Sequence, residues 1–303
     1  MRLRLATRGS PLALWQARYV ASLLESAHPG TTTELVTITT TGDRRRDVPV
    51  WEMGGRGVFV REVQSAVLSG RADAAVHSAK DLQPVTATGL CLAAIPARGD
   101  PRDTLVGSDL AGLAHGAVVA TGSQRRRAQL AWLRPDLSFQ SLRGNISTRL
   151  SKVPPGGAIV VAHAALSRLG LAPDPMETLS TEVMLPQVAQ GALAVECRAD
   201  DLSTRELLAP LDDPRSRQAV DAERYFLATI GGACDLPVAA HATLTTGGDL
   251  RLDGLLAAPD GSALVRRSAS SGSGAPAELG RDVAEMVLGS GGRDLLAARP
   301  ERQ

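Results

Sequence analysis

Cysteine, lysine and aromatic residues are all scarce in this 303-residue sequence, and each scarcity excludes a class of protein. The three cysteines, Cys91, Cys197 and Cys234, are too few for a disulfide framework and lack the spacing of a zinc motif, so we expect no metal site. No apolar run reaches the roughly 18 residues of a membrane span. The segment Met1–Arg8 contains no apolar signal region, and we therefore expect a cytoplasmic protein.

The near-neutral charge conceals an asymmetry between the two halves of the chain. The formal net charge is +1, but residues 1–152 hold 20 Lys and Arg against 12 Asp and Glu, and the remaining half is acidic. All the cations except Lys80 and Lys152 are arginines, whose planar guanidinium group binds carboxylate or phosphate through two hydrogen bonds. A basic first half predicts an anionic ligand there, and a solvated basic face is the alternative.

Apolar segments alternate with amphipathic ones through the first 170 residues, which predicts two successive α/β units with parallel sheets. From about Pro214 a long helix leads into strands, which predicts a smaller α+β domain. The predicted strands are Leu3–Thr7, Glu34–Thr39, Ala72–Val76, Ala117–Thr121, Ser138–Leu142, Ala158–Ala162, Val238–Thr245, Leu250–Ala257 and Ala263–Ser268. The predicted helices are 11–27, 59–68, 124–133, a short one after Asn145, one ending near Gly170, 214–230 and 277–288.

Four predicted strand-to-helix turns combine a Ser, Thr or Asn with cationic residues. Backbone N–H groups at helix N-termini and guanidinium groups then converge on one kind of target, an anion with several oxygens. The four turns are Ala6–Ser10, His77–Asp81, Thr121–Arg127 and Leu142–Arg149.

Individual residues in these and other segments allow both a chemical and a structural interpretation. Asp81 follows a predicted strand among cations, where it either stabilises positive charge on a substrate or forms a structural salt bridge. His77 is interpreted as a residue that packs or caps at the strand end. Cys91 and Cys197 lie in apolar contexts and are interpreted as buried hydrophobic residues. Cys234 follows Gly231-Gly232-Ala233 in a predicted loop, where an exposed thiol suits covalent attachment.

A further segment, Asp43–Gly57, combines dense charge with glycines and has no periodicity. Such a composition predicts a mobile loop over a site.

Taken together, these segments resemble the porphobilinogen deaminase family, the hydroxymethylbilane synthases of tetrapyrrole (haem and corrin) synthesis. The matching blocks follow one another in order over roughly residues 1–240. They are Ala6–Gln16, Gly54–Phe59, Arg71–Asp81, Asp100–Asp103, Ser141–Asn145, Thr148–Lys152, Arg168–Gly170 and Gln190–Arg198.

The resemblance implies a fold and a domain organisation. The fold is α/β, with two periplasmic-binding-protein-like α/β domains plus a smaller C-terminal α+β domain. Domain 1 comprises residues 1–97 and 191–212 and holds the catalytic cleft. Domain 2 comprises residues 98–190 and holds carboxylate-binding arginines, and domain 3 comprises residues 213–303 and holds the cofactor-attachment loop.

The resemblance also implies a reaction. A transferase of this family deaminates four porphobilinogen molecules in turn and joins them to a dipyrromethane cofactor, which would be thioether-linked to Cys234. The outer four rings leave as hydroxymethylbilane. We expect a monomer with a small-molecule substrate and no nucleic-acid or membrane partner.

The implied site residues include two in the catalytic step, Asp81 and Lys80. Asp81 would stabilise the cation that forms when ammonia leaves the substrate. The substrate-binding residues would be Arg8, Gln16, Arg143, Arg149 and Arg168. The residues that bind the cofactor, besides Cys234, would be Arg8, Ser10, Lys80, Asp81, Ser123, Arg125, Arg126, Arg143, Gly144, Asn145 and Ser147.

Three positions depart from the family pattern. Ala233 separates the glycines from Cys234, Gln83 displaces the usual proline by one place, and Gln64 replaces a common glutamate. A divergent copy with reduced activity is therefore one alternative. A non-catalytic anion-binding protein is a second, but it leaves Asp81 and Cys234 without a role. A nucleic-acid binder is a third, and 3% aromatic residues provide little stacking surface for it.

Overall fold

The strands form three separate sheets in the computed structural model, which describes residues 2–44, 57, 59–231, 237–272 and 275–298. The strands are β1 Arg2–Arg8, β2 Thr32–Ile38, β3 Ala74–Ser78, β4 Leu90–Ala94, β5 Asp103–Val106, β6 Val118–Ala120, β7 Ser138–Gln140, β8 Ala158–Ala162, β9 Met176–Thr178, β10 Leu193–Arg198, β11 Val238–Leu244, β12 Leu250–Ala257 and β13 Leu264–Ser271. The α-helices are α1 Pro11–Ala27, α2 Thr41–Arg44, α3 Arg61–Leu68, α4 Gln124–Leu133, α5 Ile146–Leu150, α6 His163–Arg168, α7 Leu202–Leu208, α8 Pro214–Ile230, α9 Pro276–Val287 and α10 Arg293–Ala297.

The chain divides into two compact units. Unit 1 comprises Met1–Pro101, Ala164–Leu171 and Gln190–Arg217, and unit 2 comprises Arg102–His163, Ala172–Ala189 and Gln218–Gln303. The first sheet belongs to unit 1, and the other two belong to unit 2. The division into three domains stays a prediction. In that division, each domain would contain one of the three sheets.

Unit 1 has a five-stranded sheet in the order β2-β1-β3-β10-β4, with apolar clusters on both faces. Side chains alternate along each strand: Leu3 and Leu5 join the cluster under α1, and Ala6 joins the one under α3. Helix α1 forms because Ser10 caps it, accepting a hydrogen bond from the Ala13 N–H, and Pro11 fits its first turn.

Unit 2 repeats the strand arrangement of unit 1 in the order β7-β6-β8-β5-β9. Its core is formed by residues such as Leu105, Leu130 and Val160. The antiparallel sheet β11-β12-β13 belongs to the same unit, where Leu255 packs with Ala128 of α4. This architecture confirms the predicted α/β class with a smaller C-terminal α+β part.

The expected all-parallel sheets are wrong in one respect, because both five-stranded sheets are mixed. In unit 1, β10 runs antiparallel to β3 and β4, and in unit 2, β5 runs antiparallel to β8 and β9. Neither β10 nor β5 is joined to a neighbouring strand of its sheet by a helical crossover. Strand β10 follows the unit 2 segment Ala172–Ala189, and β5 follows the segment that leaves unit 1. The sequence pattern also missed β4, β5, β9, β10, α2, α7 and α10.

Strand β3 begins two residues later than predicted, at Ala74. The Asp73 carboxylate accepts hydrogen bonds from the Arg4 backbone N–H at 2.8 Å and from Arg4 Nη2 at 2.7 Å. This contact fixes the turn before β3, and the strand consequently continues to Ser78. The pair Lys80 and Asp81 then follows in a single 3₁₀ turn, Ala79–Asp81.

Candidate active site

The carboxyl end of β3 carries Lys80 and Asp81, the two residues that the sequence assigned to the catalytic step. The Ala79 N–H donates to the Ala192 carbonyl at 3.0 Å, which fixes the turn against the start of β10. Lys80 Nζ lies 3.2 Å from Gln190 Oε1. The Asp81 side chain is half-buried, and no described residue forms a hydrogen bond or an ion pair with it. Within the described part of the chain, the structural salt bridge considered for Asp81 is therefore absent.

The carboxyl end of β1 carries Arg8, and Ser10 and Gln16 follow it on α1. The Arg8 guanidinium lies 4.1 Å above the Phe59 ring, a cation–π contact that orients it. Gln16 is buried and its Nε2 lies 2.9 Å from Ser78 Oγ. The second turn of α1 is thereby tied to Ser78, the last residue of β3.

Arg168, at the end of α6, belongs to unit 1 and is held by two contacts there. Its Nη2 donates to the Gly191 carbonyl at 2.6 Å, and its guanidinium lies 5.7 Å from the Trp15 ring. Burial lowers the pKa of Arg168. A partly desolvated guanidinium gains more from a carboxylate ligand than one in open water does.

In unit 2, Arg125 and Arg126 of α4 form a buried cluster with Asp103. Arg125 Nη1 lies 2.8 Å from Asp103 Oδ2, and Arg126 Nη2 lies 2.7 Å from Asp103 Oδ1. The same guanidinium groups also donate to the carbonyls of Leu185 at 2.7 Å and Val160 at 2.9 Å. Asp103 is fully buried and both arginines are nearly so.

The charges of this cluster explain the pKa values within it. Burial opposes ionisation of Asp103, but the two guanidinium groups outweigh burial and hold the pKa of the Asp103 carboxyl well below its usual range. Burial lowers the pKa of Arg125, and the Asp103 carboxylate counters this change. One carboxylate faces two guanidinium groups, which leaves a positive excess suited to a further anion.

Arg125 and Arg143 have buried guanidinium nitrogens without a partner. Among the described residues, Nε and Nη2 of Arg125 and Nη1 of Arg143 are buried and have no hydrogen-bond acceptor. A buried donor without an acceptor costs about 1–3 kcal/mol, and more when it is charged. These three nitrogens therefore retain hydrogen-bonding capacity that no described residue uses.

The turns before α4 and α5 have the predicted capping residues. Ser123 Oγ accepts from the Arg126 N–H at 3.4 Å, and Asn145 Oδ1 accepts from the Thr148 N–H at 2.9 Å. Gly144 has a φ of +119°, and a Cβ there would lie 2.7 Å from the Thr148 side chain, so a larger residue does not fit.

The α5 turn also orients Arg149, one of the predicted ligand residues. Arg149 Nε donates to the Gly144 carbonyl at 2.9 Å, which positions the Arg149 guanidinium beside the turn that carries Arg143. Ser147 is exposed on α5.

Two features near these residues were missed or left unassigned by the sequence analysis. The first is Asp103, whose only signal was its place in the Asp100–Asp103 block. The second is a buried contact between His77 of β3 and Glu196 of β10. His77 Nε2 lies 3.2 Å from Glu196 Oε2, and the same oxygen accepts a hydrogen bond from Gln64 Nε2 at 2.8 Å. This contact agrees with the structural interpretation of His77, and it gives Gln64 a hydrogen-bond donor role.

Two predictions fall on other parts of the chain. Cys234 lies outside the described residues, and so does most of the predicted loop Asp43–Gly57. Across the described ranges, no group of three or more His, Cys, Asp or Glu residues is placed to hold a metal ion. None of the described helices has the length and apolar character needed to cross a membrane.

The fold and the arginine-rich turns are those of a mixed α/β protein suited to an anionic ligand. Two family models match the chain: "Porphobilinogen deaminase, dipyromethane cofactor binding domain" over residues 3–206, and "Porphobilinogen deaminase, C-terminal domain" over residues 217–289. The chain belongs to the porphobilinogen deaminase family. The predicted family and transferase class are thereby confirmed.

Curated relatives match over nearly the whole chain. The porphobilinogen deaminase of Nitratidesulfovibrio vulgaris is 46% identical over 305 residues, covering 98% of this chain and 96% of that protein. The porphobilinogen deaminase of Roseiflexus castenholzii is 48% identical over 300 residues, covering 97% and 98%. Among solved structures, the methionine-binding protein MetQ has a TM-score of 0.45 at 14% identity and covers 75% of this chain and 94% of that one.

Proposed function

We propose that the protein deaminates porphobilinogen and joins four of the resulting units head to tail on a covalent dipyrromethane primer, releasing hydroxymethylbilane for tetrapyrrole synthesis. Family membership supports the reaction class. The single observation that carries the chemistry is Asp81, a half-buried carboxylate at the end of β3 that has no partner among the described residues. A carboxylate without a hydrogen bond or ion pair to any described residue is available to bind a substrate.

The primer would be attached through a thioether to Cys234. When bound, it supplies the pyrrole carbon to which the first substrate unit is joined. The unpartnered nitrogens of Arg125 and Arg143 fit a group with several carboxylates, because each N–H can donate a hydrogen bond to a carboxylate oxygen without giving up an existing contact. Further donors to the primer would be Arg8, Ser10, Lys80, Ser123, Arg126, Gly144, Asn145 and Ser147.

In the deamination step, ammonia leaves the substrate and positive charge develops on its pyrrole ring. The Asp81 carboxylate would accept a hydrogen bond from the pyrrole N–H and stabilise that charge. It would also take up the proton lost when the new carbon–carbon bond forms. Lys80 would bind a substrate carboxylate, with its ammonium group oriented by Gln190.

The acetate and propionate groups of porphobilinogen require cationic partners. Arg8 and Arg168 are oriented by the rings of Phe59 and Trp15 and would bind these groups in unit 1, with Gln16 fixing the adjacent turn. In unit 2, Arg143 and Arg149 would do the same. We expect the protein to act in the cytoplasm as a monomer, without nucleic acid or membrane.

Replacing Asp81 with asparagine tests the proposal, because Asp81→Asn keeps the size of the side chain and removes its charge. We expect turnover to fall by about a hundred- to a thousand-fold, the usual effect of losing one well-placed electrostatic group. Thermal stability should stay within about 0.5 kcal/mol of the parent, since no described contact is lost. Intact mass spectrometry should detect enzyme with bound pyrrole units that does not release product.

Asp201→Asn is the matched control in the same unit. Asp201 Oδ1 accepts from the Thr204 N–H at 3.0 Å, and Oδ2 lies 2.6 Å from Arg198 Nη2. This variant should lose stability and keep turnover per folded molecule, the opposite of Asp81→Asn. Normal turnover in Asp81→Asn would refute the role of Asp81, and porphobilinogen binding without any turnover by the parent would favour the non-catalytic alternative.

A further inference from the structure

Two cysteines that the proposed reaction does not use face each other across neighbouring strands of unit 1. Cys91 of β4 and Cys197 of β10 are directly paired in the antiparallel register. Their Sγ atoms are 3.6 Å apart, although the residues are 106 positions apart in the chain. Side chains of directly paired residues point to the same face of a sheet, and the two thiols are therefore held in contact by the backbone.

The geometry of this pair matches what a disulfide requires. Directly opposed residues of an antiparallel pair have Cα atoms about 4.5–5.5 Å apart, within the roughly 4.4–6.8 Å range of disulfides. The Sγ atoms need to approach from 3.6 Å to about 2.05 Å. Rotation about the Cα–Cβ bonds can supply a movement of this size without a change of strand register.

The two thiols differ in their access to solvent. Cys197 is completely buried in the core cluster under α1, whereas Cys91 is half-buried on β4, an edge strand of the sheet. Cys91 also lines a surface depression of about 400 Å³. The rest of the lining includes Leu202, Arg205 and Glu206 of α7, and the guanidinium of Arg205 suits an anionic reagent.

The chemical states of the thiols follow from these surroundings. Burial, and then the hydrogen bond with Cys91, raises the pKa of the Cys197 thiol to about 12. Cys197 is therefore protonated at neutral pH and inert toward reagents in solution. Only Cys91 is placed to react first.

We propose that Cys91 and Cys197 are an oxidant-sensitive dithiol, in which Cys91 reacts with a low-molecular-weight disulfide and Cys197 then closes an intrachain disulfide. In the first step, Cys91 gives up its proton and its sulfur attacks one sulfur of the reagent; the reagent S–S bond breaks, a mixed disulfide forms, and the released thiolate takes up a proton. In the second step, Cys197 gives up its proton and its sulfur attacks Cys91 Sγ; the mixed S–S bond breaks, and the second thiolate leaves and takes up a proton. The two cysteines are oxidised by two electrons in total, and one reagent disulfide is reduced to two thiols.

This proposal does not depend on the proposed function. Neither cysteine is assigned to primer attachment, and a peptide map reports each cysteine separately whatever the state of Cys234. A failure of porphobilinogen turnover therefore leaves the proposal unaffected, and a failure of disulfide formation leaves the proposed function unaffected.

The test is to incubate the folded, full-length protein with oxidised glutathione and to map its peptides by mass spectrometry without reduction. We expect a cross-linked peptide pair containing Cys91 and Cys197, lighter by two hydrogen atoms than the two free peptides. Dithiothreitol should restore both thiols.

Two variants determine the order of the steps. Cys197→Ala, which keeps the core apolar, should accumulate one stable glutathione adduct on Cys91. Cys91→Ser should leave Cys197 unmodified until urea unfolds the chain. A persistent adduct on Cys91 of the parent with no cross-linked peptide would overturn the proposal, and so would a parent protein in which Cys91 reacts only after urea has unfolded the chain.

Discussion

Asp103→Asn is the substitution that most directly tests the buried charge cluster of unit 2. The change keeps the shape of the side chain but removes the one carboxylate that faces Arg125 and Arg126. Asp103 is fully buried, and the arginines are only 4% and 5% exposed. The two guanidinium groups would then be buried together with no counter-charge from any described residue.

The expected cost follows from this geometry. Removing one partner of a buried ion pair typically costs about 3–5 kcal/mol, because the remaining charge has neither solvent nor partner. For a folding unit of about 150–250 residues, this corresponds to a melting temperature lower by roughly 6–20 °C. Such a loss is a large fraction of the roughly 5–15 kcal/mol that stabilises a typical domain.

Urea denaturation followed by circular dichroism measures this loss as a lower midpoint at unchanged slope. Glu285→Gln is the matched control, because Glu285 pairs with Arg293 at 2.8 Å but both side chains are mostly exposed. Exposed pairs contribute about 0–1 kcal/mol, and we expect little change. A loss below about 1 kcal/mol in Asp103→Asn would refute the reasoning.

The pH dependence gives an independent check. The arginines hold the pKa of Asp103 below its value of about 3.9 in an unfolded chain. A depressed carboxyl pKa contributes stability that is complete above the unfolded value and is lost as the pH falls toward the folded one. The stability difference between the parent and Asp103→Asn should therefore be constant near neutral pH and shrink below about pH 4.

The remaining predictions concern the primer and the arginine turns. Intact mass spectrometry of protein from a porphobilinogen-producing host should show an adduct of two linked pyrroles on Cys234, absent in Cys234→Ser; a bare polypeptide mass would contradict this. Arg143→Ala should weaken ligand binding by about 2–5 kcal/mol, because a bound carboxylate loses its partner, whereas the exposed control Arg293→Ala should not change binding. Isothermal titration with porphobilinogen measures this difference, and equal affinities would show that Arg143 does not bind the ligand.

Local signals in the sequence were sufficient for the elements that start and stop at strong capping residues. Helix α1 begins at Pro11, directly after its cap Ser10, and ends at Ala27 as predicted, and Ser123 and Asn145 cap α4 and α5. Strand β12 was predicted with the same bounds, Leu250–Ala257. In each case, the determining interaction lies within a few residues along the chain.

Strands β5 and β10 show where such signals fail. Each pairs with neighbours distant in sequence, and β10 has an almost continuous apolar run without helical or alternating periodicity. A buried strand of this kind cannot be distinguished from other apolar segments by its pattern alone. The direction of β10 in the sheet depends on the positions of its neighbours β3 and β4.

The sequence by itself determined the α/β class, the family and the positions of the capped, arginine-rich turns, because these depend on composition, capping and contiguous motifs. Only the tertiary structure decided which carboxylate is paired. Asp81 and Asp103 both lie in matching motifs, yet Asp103 is buried between two guanidinium groups while Asp81 has no partner among the described residues. The contact between Cys91 and Cys197 was likewise decided by strand register. Pairing across 22 positions, or across 106, depends on how the strands and helices pack, and no local pattern encodes it.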